Sequence, residues 1–343
     1  MTTHTGYLLI ADISGYTQFL TSSEQAHANP ILQSLLTSLL EQVGEPLHFW
    51  KMEGDAVLAY STQQEFPSGE TFLTICENLY NAFTSRRQNI ITNTSCPCRA
   101  CANVGSLDLK IMAHHGAFDE MQVGPVKDIS GADVILVYRM AKTDVGETTG
   151  VRSYALVPFS QPFEHLGEVS MQVYDLVEAW KKFRAGRERH FLEEADGLNT
   201  YRRHFDLPIA VVWEALTAPE LKLRWMTGML SFSVARPEGR IGTGSRYHCA
   251  HEAADFRYWV ADREPFDYFS ARMNDGQREG ISMPKTYHLT STESGTGLRY
   301  TIGQASDADG NRSAVSEQEA VGFLSGFWPP AFDQMEVLIN EAD

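Results

Sequence analysis

Short apolar runs alternate with helical stripes through the first half of the chain. Residues 7–11 read as a buried strand, 30–42 as a helix, 47–50 and 56–60 as the arms of a hairpin, and 70–87 as a second helix. Strands are predicted near 107–114 and 121–126, and a helix over 132–142. Strands interleaved with helices predict mixed α/β or α+β layers. A charged, helix-compatible stretch over 176–195 follows, readable as a connecting helix that makes a dimer contact or as a solvated spacer. Beyond Gly197 the rhythm changes. One helical run over 208–216 precedes strands near 230–235, 245–251, 256–263, 268–273, 286–292 and 298–304, and a last helix begins near Glu317. That order predicts a curved antiparallel sheet wrapped around one long terminal helix. The expected organisation is a first domain over 1–175, a linker helix within 176–199 and a second domain over 200–343, an α+β chain throughout.

Composition narrows the function classes. At 343 residues two domains are expected, since single cores stop growing beyond roughly 250–300 residues. A net charge of −16 argues against a nucleic-acid surface and against a polybasic membrane anchor. It would also repel a bare polyphosphate, so a nucleotide site here needs metal ions or local cations. No run reaches the ~18 apolar residues of a membrane span, and MTTHTGYLLIADISGY has no basic region before a long apolar one, so a cytoplasmic protein is expected. The five cysteines are an odd number, with Cys96, Cys98 and Cys101 crowded together, which fits a reducing compartment.

Two acidic positions stand out. Lys51-Met52-Glu53-Gly54-Asp55 sets a lysine and carboxylates at the mouth of an apolar hairpin, where ordinary turn chemistry is a sufficient account. Asp12 ends the first strand just before Gly15-Tyr16-Thr17 opens a helix, where a helix N-terminal role is sufficient. Taken together, one carboxylate at a strand end and another at a neighbouring turn can converge, and carboxylates with phosphate oxygens are what Mg²⁺ selects.

These segments resemble the class III nucleotidyl cyclases. Asp12-Ile13-Ser14-Gly15-Tyr16-Thr17 is similar to that family's strand-end Asp-Ile-x-Gly-Phe-Thr, and Lys51–Asp55 to its hairpin Lys-x-x-Gly-Asp. HHGAFDEMQVGPVKDISGADVILVYRMAK approaches the third block, with Gly116, Gly124, Asp128, Gly131, Val134 and Arg139 in register. The likeness covers roughly residues 5–175; more narrowly, the chain looks like an uncharacterised cyclase-like bacterial family with a Cys-Pro-Cys segment. The resemblance implies a ferredoxin-like domain in which Asp12, Asp55 and the Ile13 carbonyl hold two Mg²⁺ or Mn²⁺ ions. It implies Lys51 and Asp128 against the purine edge, favouring adenine, and Arg139 as the catalytic cation on the triphosphate. A homodimer follows, with metal carboxylates and Arg139 from opposite chains. The implied reaction is ATP to 3′,5′-cyclic AMP. Ile135 departs from the pattern: it stands where the family has an asparagine, and losing one such donor costs ~10²–10³ in rate. An adenylate cyclase and a catalytically silent nucleotide-binding sensor or hydrophobic-ligand carrier therefore both remain.

Cys96, Cys98 and Cys101 have the spacing of Zn²⁺ ligands, with His48, Cys76, His114 or His115 as candidates for the fourth; reduced loop thiols and redox sensing are the alternatives. In the second half, FDLPIAVVWEALTAPELKLRWM, Gly242-Thr243-Gly244 and REPFDYFSAR resemble the START-like, polyketide-cyclase-related (SRPBCC) helix-grip superfamily over about residues 200–343. That resemblance implies an apolar cavity between sheet and terminal helix for a small hydrophobic ligand, whose binding would regulate the first domain. Trp225, Tyr247, Trp259, Phe269, Phe323 and Phe327 are candidate lining residues, each also readable as a core aromatic. Along 247–251, alternation is read as setting Cys249 opposite His248 and His251, so no metal set is drawn from them.

Overall fold

A computed structural model describes residues 2–67, 71–143, 145–158, 171–186, 188–226, 228–237, 240–251 and 254–340. It divides into two units, residues 1–66 with 72–187 and residues 188–343 with 67–71.

The N-terminal unit runs β1 (Thr2–Ser14), α1 (Tyr16–Ser22), α2 (Gln25–Leu40), β2 (His48–Glu53), β3 (Ala56–Thr62), α3 (Phe72–Asn93), α4 (Arg99–Asn103), β4 (Asp108–Val123), β5 (Val126–Ser130), α5 (Ala132–Ala141), α6 (Val145–Thr149), β6 (Tyr154–Pro158), β7 (Met171–Asp175) and α7 (Leu176–Arg184). The sheet order is β2-β3-β1-β4-β6-β7, with β5 paired to β4. Leu8, Ile10, Leu58, Met112 and Leu156 form one buried face, onto which α5 packs Val134, Val137 and Met140. Alternation in the strands and helical spacing in α5 produce that layer from local sequence alone.

The two strands expected near 107–114 and 121–126 are one sixteen-residue strand, because β4 stays paired with β1 from Ser14↔Asp108 to Thr2↔Glu120. Gly116 sits mid-strand where a Cβ would lie 2.4 Å from the Asp133 side chain, so only glycine admits α5 this close. The connecting helix is shorter than its charge pattern suggests. α7 ends at Arg184, and Gly186 follows at φ +73°, a left-handed conformation that stops a helix.

The C-terminal unit runs β8 (Asn199–Phe205), α8 (Ile209–Thr217), α9 (Pro219–Trp225), β9 (Met229–Ala235), β10 (Arg246–His251), β11 (Asp255–Glu264), β12 (Tyr268–Asn274), β13 (Ser282–Thr292), β14 (Gly295–Ile302), α10 (Ala314–Gly326) and α11 (Trp328–Asn340). Its strands form an antiparallel sheet ordered β8-β14-β13-β12-β11-β10-β9. Trp213, Phe269, Tyr287, Tyr300, Trp328 and Phe332 share its core, the arrangement of a helix-grip fold. Two features differ from expectation. The polar β8 is recruited through its ladder with β14 rather than by its own apolar pattern. The terminal helix is also two helices, since Pro329 and Pro330 cannot extend the ladder of α10 but suit the first turn of α11.

Candidate functional site

β1 ends at the position the acidic pair needs. Asp12 lies between Ala56 on β3 and Lys110 on β4, and the Ile13 N–H donates to the Asp55 carbonyl at 3.3 Å. Gly54, at φ +61°, closes the tight turn that sets Asp55 beside Asp12. Burial, and next the negative charge of Asp12, push the Asp55 carboxyl above the usual carboxylate range, against the opposing pull of Lys110. Lys110 was not anticipated. Its Nζ lies 2.8 Å from Asp12 Oδ2, and although burial disfavours the ammonium, that contact holds its pKa above the ordinary lysine value. The donor set, two part-buried carboxylates crowded at one sheet end, fits a divalent cation, which would take the neutralising role Lys110 now fills. Ile13 itself is buried.

Lys51 and Asp128 also meet. Trp50 is bulged out of the β2–β3 register, so two consecutive side chains reach the same carboxylate instead of opposite faces. Trp50 Nε1 donates to Asp128 Oδ1 at 2.6 Å and Lys51 Nζ lies 3.4 Å from that oxygen. Burial would raise the Asp128 carboxyl, but the Ile129 N–H, the Trp50 donor and the Lys51 charge together hold it low. Glu53 accepts from Lys51 at 3.1 Å and from the Tyr138 hydroxyl at 2.9 Å, tying α5 to the hairpin. Arg139 is exposed on α5, one turn beyond Ile135, which is 56% exposed. Both point away from the core face carried by Val134, Val137 and Met140.

The three cysteines acquire a fourth partner that is none of the four expected. His27, near the start of α2, brings Nδ1 to 3.1 Å from Cys98 Sγ, 3.5 Å from Cys96 Sγ and 3.6 Å from Cys101 Sγ. All four ligand atoms lie within 4.8 Å of one another. Tetrahedral Zn–N and Zn–S bonds of about 2.0 and 2.3 Å would separate nitrogen and sulfur by about 3.5 Å, so the group fits the ion. The expected alternatives are engaged elsewhere: His48 with Glu65, His114 with Asp133, His115 with Gln63, while Cys76 is buried in α3. Glu24 accepts from the Ala100 N–H at 3.1 Å and docks α4 beside the histidine.

In the C-terminal unit a cavity opens between sheet and terminal helices. Phe323 and Phe327 line it, together with Met226, Phe256, Tyr258 and Trp328. Trp225, Tyr247 and Phe269 instead belong to the packed core. Trp259 is corrected: β11 alternation turns Tyr258 and Val260 inward and leaves Trp259 40% exposed on the other side. Cys249 and His251 share parity and line the cavity together, whereas His248 faces Asp255; only His248 is opposite the cysteine. Lys222 and Lys285 also line this cavity, and both are buried. Their signal was legible, because Lys285 alternates with Met283, Tyr287 and Leu289, and Lys222 shares the buried stripe of Pro219 and Trp225.

Two family profiles match the chain: one described as "Protein of unknown function (DUF2652)" over residues 32–149, and one as "Activator of Hsp90 ATPase homolog 1-like protein" (AHSA1) over residues 206–340. A Mycobacterium tuberculosis protein described as "Uncharacterized protein Rv2561/Rv2562" is 30% identical over 161 residues, covering 41% of this chain and 73% of that protein. Among solved structures, the guanylyl cyclase Cya2 is 13% identical and aligns over 50% of this chain and 92% of its own, with a TM-score of 0.38. The adenylyl cyclase CyaB from P. aeruginosa is 15% identical over 51% of this chain and 97% of its own, with a TM-score of 0.37. Protein MLL2253 from Mesorhizobium loti is 22% identical over 42% of this chain and 98% of its own, with a TM-score of 0.34. Among the described residues, no helix is long and apolar enough to cross a membrane.

Proposed function

The chain belongs to the family of the uncharacterized M. tuberculosis protein Rv2561/Rv2562, and we propose that its N-terminal unit is a nucleotidyl cyclase-like module that takes ATP with two Mg²⁺ or Mn²⁺ ions between two copies of the chain. The observation that carries this reading is the convergence of Asp12 and Asp55, from β1 and the β2–β3 turn, into one acidic pair. Bound divalent ions would activate the ribose 3′-hydroxyl and neutralise charge at the α-phosphate. In this reading Asp12 exchanges Lys110 for a metal ion, whose charge would also favour the ionised form of Asp55. Lys51 supplies a donor and Asp128 an acceptor for the adenine edge, on a carboxylate already positioned by Trp50. Arg139, exposed beside Ile135, offers its guanidinium to a triphosphate held by the second copy.

Ile135 offers no side-chain hydrogen bond, so turnover is expected to be slower by ~10²–10³ than with a donor there. Purified chain incubated with ATP and Mn²⁺ should yield 3′,5′-cyclic AMP, lose it in Asp55→Ala, and gain at least tenfold in rate in Ile135→Asn. Metal-dependent ATP binding without product, even in Ile135→Asn, would leave a silent sensor. Absence of metal-dependent ATP binding sinks both readings.

The four converging ligand atoms favour a second, separate role: His27, Cys96, Cys98 and Cys101 hold a structural Zn²⁺ that pins α4 to α2. Elemental analysis should find one zinc per chain, lost in Cys98→Ser and His27→Ala; zinc-free protein from zinc-supplemented cells would refute it. For the C-terminal unit we assign the cavity to a small hydrophobic ligand, with its occupancy as the input to the nucleotide module. A change in ATP affinity on filling the cavity tests that regulation.

A further inference from the structure

We propose that the cavity of the C-terminal unit is built for an amphiphile carrying one carboxylate, whose headgroup is received by Lys222 and Lys285. The proposal rests on the hydrophobic-ligand reading and adds the charge of the ligand. Lys222 comes from α9 and Lys285 from β13, and each side chain is 2% exposed. Their amines flank one ring: Lys285 Nζ is 4.1 Å from the Tyr258 ring centroid, and Lys222 Nζ is 5.3 Å from it. Both also lie within 6 Å of the Tyr287 ring, at 5.6 and 5.9 Å.

What these amines lack is an anion. Lys222 donates to the Leu216 carbonyl at 3.4 Å and to the Tyr258 hydroxyl at 3.3 Å, both neutral. Among the described residues no carboxylate pairs with either lysine. The acidic groups around them stay protonated: burial pushes up the Cys249 thiol and the Tyr258, Tyr287 and Tyr300 phenols. Buried cations without a counter-charge are costly, and a fold that keeps two of them in one cavity is organised for an anion that comes from outside. Burial disfavours both ammonium groups. It pulls Lys222 down to about 8, and with the added repulsion of Lys222 it pulls Lys285 down to about 7.

The rest of the cavity is apolar. Met226, Met229, Phe256, Met273, Phe323 and Phe327 line it. Thioether and aromatic walls accommodate a hydrocarbon body of no fixed shape. A carboxylate at the lysines and an alkyl or aryl tail along the methionines would satisfy both halves of the lining.

Isothermal titration of the full chain at pH 7 with octanoate, octan-1-ol and octylamine tests this. Octanoate should bind at least tenfold more tightly than octan-1-ol, and octylamine more weakly than either. Lys222→Met and Lys285→Met should each reduce octanoate towards the affinity of octan-1-ol, while retained octan-1-ol binding reports an intact cavity. Equal affinity of octanoate and octan-1-ol overturns the headgroup assignment and leaves the apolar cavity standing. A preference for octanoate that survives in both variants overturns it as well. If none of the three probes binds, the hydrophobic-ligand reading falls with it.

Discussion

Asp12 with Asp55 in the N-terminal unit and Lys222 with Lys285 in the C-terminal unit are both pairs of like charges drawn from separate elements. The acidic pair lies at a sheet end, part-exposed, with Lys110 in contact as a resident counter-ion. The basic pair is closed in among tyrosine rings and has no counter-ion among the described residues. Repulsion is therefore handled in two ways. The acids keep a cation, Lys110, beside them, which on the proposed reading a metal would replace. The lysines lower their pKa values, so an anion must restore protons as well as contacts. On the proposed readings, metal uptake at the first site is an exchange of cations, and anion uptake at the second favours the protonated lysines.

The largest effect that sharpens this contrast is expected at the acids. Asp55→Ala should weaken Mn²⁺-dependent ATP binding about 10²-fold by titration calorimetry, since one of the two carboxylates proposed as ligands is gone. Lys110→Met should instead tighten Mn²⁺ binding severalfold, and weaker binding would show that Lys110 supports the metal rather than competing with it. At the other pair, Lys285→Met should stabilise the unliganded protein by about 1–4 kcal/mol in urea, as an apolar side chain replaces a buried charge. A loss of stability would mean that the amine has a partner worth more than its burial costs.

The pairs should also respond to pH with opposite sign. Lys222 and Lys285 have folded pKa values near 8 and 7, below the ordinary lysine value, so the unfolded chain binds more protons between those values and about 10.4. Their contribution to stability therefore rises with pH from about 7 upward. Asp55 is raised, so its contribution is full below the ordinary aspartate pKa and is lost as pH climbs through its folded value. Mn²⁺ should protect the protein against heating more at pH 7.5 than at pH 4.5, because the upward shift of the Asp55 carboxyl favours its protonated form as pH falls. The smallest effect is expected at Trp259: as an exposed side chain, its replacement by alanine should shift stability by about 0.5 kcal/mol or less, against about 3 kcal/mol or more for Tyr258→Ala.

Much of this could be read from local pattern. Alternation and helical spacing located the buried part of β1, the β2–β3 hairpin, α5 and α8 close to where they lie. The convergence of Asp12 with Asp55 and of Lys51 with Asp128 was anticipated from motifs, with Asp12, Lys51 and Asp55 on elements the pattern could place and Asp128 on β5, which it did not. Where pattern failed, pairing or packing overrode it. β4 runs through what looked like a break because β1 offers a continuous ladder, and β8 is a strand only because β14 lies beside it. Trp259 looked like a lining residue until the register of β11 turned it outward.

By itself the chain determined the alternation within regular stretches of strand and which carboxylates end which elements, because both depend on neighbours a few bonds away. The inward parity of Lys285 was written beside Met283 and Tyr287 in the same way. Only the tertiary structure decided that His27 completes the three cysteines, that Lys110 covers Asp12, and that two lysines share one tyrosine ring. Those meetings join segments remote in the chain, and the packing that joins them is a property of the whole fold rather than of any short run of residues.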